Sequence, residues 1–161
     1  MADYSYANIR IGGTITKKQA EKRLEFIDQE APMEDERIET IKDLEKIGEE
    51  EKVLFLHTAE ARWGQFEKLE EYLIKNKIAF DRWSEPYMDD SAVRVVFRPG
   101  DKVFGKPKQI FTDPVGTDVV PADPVRSILR LLKYKRFNIA GKKLQKLLPP
   151  ITYRLPRFRI I

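Results

Sequence analysis

The chain has no cysteine and a single histidine, His57, in 161 residues. Those shortages exclude disulfide frameworks, cysteine-based zinc sites, thiol nucleophiles and most metal sites before any motif is considered. Long apolar runs are missing too. No stretch approaches the 18 residues of a membrane-spanning helix, and the opening MADYSYANIRIGG has neither a basic leader nor an apolar signal core, so a cytoplasmic protein is expected. The last shortage is of acid. No acidic residue follows Asp123, while eleven bases lie between Pro124 and Ile161. The whole chain carries 30 Lys and Arg against 26 Asp and Glu, so residues 1–123 hold 19 against 26, a net of −7. The overall +4 therefore combines an acidic body with a basic end, an asymmetry that points to a polyanionic partner.

What is present reads as one domain with an extension. Ala7, Ile9 and Ile11 alternate with Tyr6, Asn8 and Arg10, which predicts a strand, and Gly12-Gly13 closes it with a turn. The glycine pair lacks the further glycines or Gly-Lys-Ser/Thr of a phosphate-cradling loop. Thr16 with Gln19 forms a capping-box pattern ahead of Ala20, Leu24 and Ile27 at helical spacing. Residues 34–51 hold nine acids against three bases, with Ile38, Ile41, Leu44 and Ile47 as an apolar stripe. That pattern predicts a solvated amphipathic helix, the commoner case for a charge run, or, on a sharper reading, a docking surface for something basic, the protein's own tail among the candidates. Val53 to Leu56 is apolar on both faces, as in a central strand. Phe66, Leu69, Tyr72 and Leu73 mark a further helix, and Ile78–Trp83 and Ala92–Arg98 two more strands, the second stopped by Pro99-Gly100. Asp123-Pro124 starts a helix with Val125, Ile128, Leu129 and Leu132 on its apolar face. The expected fold is α+β, a compact mixed β-sheet with helices on one face, broadly ferredoxin-like. Residues 1–132 make up this acidic domain. A basic arm of a short helix and an extended end occupies residues 133–161.

Three stretches carry a resemblance: YANIRIGG (Tyr6 to Gly13), FEKLEEYLIKNKIAFDRWSE (Phe66 to Glu85) and RPG (Arg98 to Gly100). They are similar to segments of small uncharacterised proteins carried by bacterial plasmids and phages. The resemblance implies a mobile-element accessory role and brings no activity or catalytic residue with it.

Candidate chemistry is sparse. Tyr87-Met88-Asp89-Asp90 matches the metal-binding hairpin of reverse transcriptases, but no further carboxylate comes from the first strand, so a solvated turn is the expectation. His57, with Glu60 and Glu67 near in sequence, lacks a nucleophile or a second ligand and reads as a boundary residue. Trp63 and Trp83, beside Arg62 and Arg82, read as core or as surface aromatic–arginine pairs. No catalytic residue, metal or cofactor is expected. The tail is different. Lys133, Lys135, Arg136, Lys142, Lys143 and Lys146, followed by Arg154, Arg157 and Arg159, supply charge to neutralise phosphates, and Tyr153 and Phe158 supply rings that stack on bases. The expected function is non-enzymatic binding of RNA or single-stranded DNA through this arm. The alternative is a protein-interaction module or inhibitor whose tail docks on a host or phage complex. Membrane attachment ranks last, because the tail helix is short and has no second anchor.

Overall fold

Alternation in the first segment produces β1 (Tyr4–Gly12) in the computed structural model, which describes residues 4–30, 38, 40–51, 53–86, 91–114, 117–120, 122–147 and 155–161. Ala7, Ile9 and Ile11 are fully buried, and Arg10 on the opposite side is exposed. After β2 (Thr14–Ile15) the capping box forms as read: the Gln19 amide donates to Thr16 Oγ1 at 3.3 Å and the Thr16 amide to Gln19 Oε1 at 2.9 Å. It opens α1 (Lys17–Glu30). A second box opens α2 (Ile41–Glu51), where the Thr40 amide donates to Asp43 Oδ2 at 2.8 Å. Next come β3 (Leu54–Arg62), α3 (Glu67–Lys75), β4 (Ala79–Ser84), β5 (Ala92–Phe97) and β6 (Lys108–Thr112). The amides of Lys68 and Leu69, which start α3, both donate to the Glu30 carboxylate at 3.0 Å, so the end of α1 places an anion at the positive end of α3.

The five strands form one sheet in the order β3-β1-β4-β5-β6, and every pairing in it is antiparallel. The α+β class is as expected, but this sheet is not mixed. Its parallel relationship is indirect: β3 and β4 flank β1 and are joined through α3, a split β-α-β unit. The segment read as a central strand is β3, which lies at the sheet edge. α1, α2 and α3 cover one face, where Ala20, Ile27, Leu44, Leu69 and Leu73 pack on Ile9, Ile11, Leu54, Leu56 and Phe80. The buried Arg82 crosses that layer, pairing with Glu70 at 2.8 Å and donating to the Gly64 carbonyl. Burial pushes Glu70 above the usual carboxylate range, and the Arg82 charge opposes the shift.

The chain end is where the expected organisation fails. Residues 155–161 do not leave the body as an arm. β7 (Arg159–Ile160) pairs in parallel with β2, and the Lys17 amide donates to the Ile161 carbonyl at 3.1 Å. Phe158 is 1% exposed within the core cluster, its ring 5.2 Å from the guanidinium of the fully buried Arg23. A boundary after Leu132 therefore separates the core from one of its own side chains. The cause is local: Arg157 and Arg159 turn outward, so Phe158 and Ile160 turn in, and an apolar ring gains more from burial than from a free end. The Gly12-Gly13 pair serves this return. A Cβ on Gly12 would lie 2.1 Å from the Pro156 carbonyl oxygen, and Gly13, at φ +106°, donates its amide to the same oxygen at 3.2 Å.

The remaining basic segment is a helical hairpin of α4 (Ala122–Lys133) and α5 (Phe137–Leu147), turned through Lys135 at φ +57°. Ile128 and Ala140 are its buried residues among those described, and Lys143 Nζ donates across it to Ser127 Oγ at 3.0 Å. No helix among the described residues is long and apolar enough to cross a membrane.

Candidate functional site

The sheet face turned away from α1–α3 carries the densest chemistry. Register places two rows of side chains across it. Phe55, Arg10, Asp81 and Val96 oppose one another on successive strands in one row, and His57, Asn8, Trp83 and Arg94 in the next. Tyr6 lies where the register shifts between Ser5 and Ala7, and its ring fills the space beyond the second row. The rings form an arc. Phe55 and His57 have centroids 5.8 Å apart, His57 and Tyr6 6.1 Å, and Tyr6 and Trp83 6.2 Å with an edge-on geometry. All four rings are half-buried and present part of their surface to solvent.

The polar groups inside the arc are held in place. The Trp83 indole N–H donates to Thr112 Oγ1 at 3.1 Å, which fixes the ring over β5 and β6. Arg98 donates to both Asp81 oxygens at 2.8 and 2.9 Å and to the Phe80 and Phe97 carbonyls at 2.8 Å, so the RPG arginine anchors the face from within. Burial raises the Asp81 carboxyl above its ordinary range, and Arg98, with Arg94 and Arg10 beyond it, pulls it back. Arg94 pairs with Asp118 at 2.6 Å. Arg10 is exposed, with its backbone paired to β3 and β4 and its charge felt by Asp81. A shallow cavity of about 420 Å³ lies over this centre, lined in part by Asn8, Arg10, Phe55, Asp81 and Trp83. Donors and acceptors ringed by aromatic surface can hold a planar polar molecule, by stacking and edge hydrogen bonds together.

The residues expected to bind nucleic acid are divided by the fold. Lys133, Lys135, Arg136, Lys142 and Lys143 are exposed on the hairpin, and Lys146 lies on the same helix. Arg157 and Arg159 are exposed but line a cavity of about 490 Å³ with Glu45 and Glu49, so the acidic helix faces the chain's own basic end. Phe158 is buried and not available to stack on a base, which corrects that expectation. Tyr153, Arg154 and the Tyr87–Asp90 motif lie outside the described residues. His57 belongs to the arc and lines a cavity of about 1040 Å³ with Glu60, Glu67 and the exposed Trp63. Among the described residues no three His, Asp or Glu side chains form a metal-binding group.

Reading the sequence alone missed the arc because its members come from three strands. One signal was available: the outward positions of β1 are Tyr6, Asn8 and Arg10, a ring, an amide and a guanidinium where an ordinary solvated face carries Lys, Glu or Thr. No family model, curated protein or solved structure matches the chain.

Proposed function

We propose that the protein binds single-stranded nucleic acid, RNA or DNA, with bases stacked on the open sheet face and phosphates neutralised by the basic hairpin. It acts without catalysis, as an accessory factor of a mobile element or a larger nucleoprotein assembly. The observation that carries this reading is the continuous arc of Phe55, His57, Tyr6 and Trp83 around Arg10 and Asn8. Half-buried rings in tilted and edge-on contact across three strands leave apolar surface for a ligand to cover, and unpaired bases are planar ligands of matching size. Residues 122–147 add eight bases against Asp123 alone.

Fluorescence anisotropy of the full chain with labelled single-stranded and duplex oligonucleotides at several salt concentrations tests it. Phe55→Leu is expected to weaken single-strand binding by about 1–3 kcal/mol at an unchanged salt slope. Changing Lys133, Arg136 and Lys142 together to Gln is expected to flatten that slope by about two, from about 0.7 per phosphate. Equal affinity for duplex, insensitive to Phe55, would restrict binding to the hairpin.

A second reading rests on a separate observation. The hairpin exposes aliphatic side chains, Leu129 at 59%, Ile139 at 45% and Leu144 at 44%, which phosphates cannot use. Beside bases, these suit an acidic, amphipathic protein partner. Loss of a partner on changing Leu129 and Leu144 to Ser, with oligonucleotide affinity intact, would establish that surface as protein-docking.

A further inference from the structure

We propose that the cavity inside the aromatic arc is a base-reading subsite selective for guanine, an inference that rests on the reading of this face as a single-strand platform. Arg10 and Asp81 are direct cross-strand partners on β1 and β4, so a guanidinium and a carboxylate stand side by side on the same face. Neighbouring strands lie about 4.8 Å apart, close to the span of a base's hydrogen-bonding edge. Arg10 is exposed, and its charge acts on the Asp81 carboxylate across the strand pair. Asp81 is fixed by Arg98, which occupies part of the carboxylate's acceptor capacity and leaves the rest facing the cavity, where its side chain is 19% exposed. The centre thus offers donors at one position and an anionic acceptor pair at the next.

Guanine complements that pattern best. Its Watson–Crick edge presents one acceptor, O6, followed by two adjacent donors, N1–H and the N2 amino group. O6 accepts from Arg10 while both donors meet the Asp81 carboxylate. Adenine supplies a single donor beside one acceptor. Uracil sets a second carbonyl oxygen, and cytosine two acceptors, where the carboxylate would repel them. Phe55 and Trp83 line the same cavity as aromatic walls for the ring, and Asn8, the cross-strand partner of Trp83, lines it as well.

The test uses the full chain and labelled uridine heptamers whose central position is uridine, adenosine, guanosine or inosine, the last lacking only the N2 amino group. Guanosine is expected to bind roughly tenfold or more tighter than adenosine, with inosine between them. Arg10→Gln, a substitution at an exposed position, is expected to bring the guanosine-to-adenosine ratio close to one. Asp81→Asn is unsuitable alone, because it weakens the anchor of Arg98, and inosine probes the same contact from the ligand side. Heptamers that all bind equally would overturn the guanine subsite and leave the platform standing. No binding by any heptamer at low salt would overturn both.

Discussion

Arg23 has no exposed surface, no hydrogen-bond partner among the described residues for any of its three guanidinium nitrogens, and the Phe158 ring 5.2 Å away as an aromatic neighbour. Burial lowers its pKa to about 10, against a small opposing effect of Tyr72. Set against the ordinary arginine value of the unfolded chain, that downward shift corresponds to about 3 kcal/mol of destabilisation while the group is charged. Arg23→Met keeps the stem and removes the charge, so a gain of about 1–3 kcal/mol is expected in denaturant unfolding at pH 7. The pH dependence has a definite sign. Below pH 10 the group is charged in both states and the penalty is complete. Above it the folded form sheds the proton before the unfolded form does, so the difference between wild type and variant should narrow. A destabilising Arg23→Met would show instead that the charge is served by a partner. Gly12 makes the opposite case, because a methyl group there meets the Pro156 carbonyl oxygen at 2.1 Å. Gly12→Ala is expected to cost about 1–3 kcal/mol or more by pushing the returning chain away, as read from its denaturation midpoint.

At the scale of elements, short-range signals were legible and long-range ones were not. The capping box at Thr16 and the β1 alternation depend on neighbours within a turn, and each stands where the residues place it; the helix read from Asp123-Pro124 forms too, beginning one residue earlier at Ala122. Lys108–Thr112 mixes Lys, Gln and Thr with two apolar residues, a weak strand signal, and it is pairing with β5 that makes it β6. Phe55 looked like core because an apolar residue between Leu54 and Leu56 fits a strand buried on both sides, whereas at the edge it becomes part of the arc. The same limit hid the return of β7, since two residues pair with a segment nearly the whole chain away. Removal of residues 148–161 takes Phe158 and Ile160 from the core cluster, so the shortened chain is expected to lose at least about 3 kcal/mol and its cooperative thermal transition. By contrast, Leu129→Ser and Leu144→Ser together should leave the unfolding free energy within about 0.5 kcal/mol, because both side chains are already exposed.

For the whole molecule, the charge asymmetry resolves into a spatial division. The acidic helix α2 shares a cavity with Arg157 and Arg159 at the chain end, and eight of the eleven bases that follow Pro124 lie on the hairpin. Composition made the polyanion hypothesis legible. The aromatic face was not, since it exists only once β1 pairs with both β3 and β4. The central claim is that bases stack on that face, and the two tryptophans allow a direct test. Trp63 is exposed at φ +56°, a backbone conformation that Asn accepts more readily, so Trp63→Asn leaves Trp83 as the single indole reporter. Titrating that variant with a single-stranded oligonucleotide, while anisotropy follows binding, should quench and shift Trp83 emission along the same isotherm, and duplex of equal length should not. Binding seen by anisotropy with Trp83 emission unchanged would contradict the account and place the contact away from the sheet.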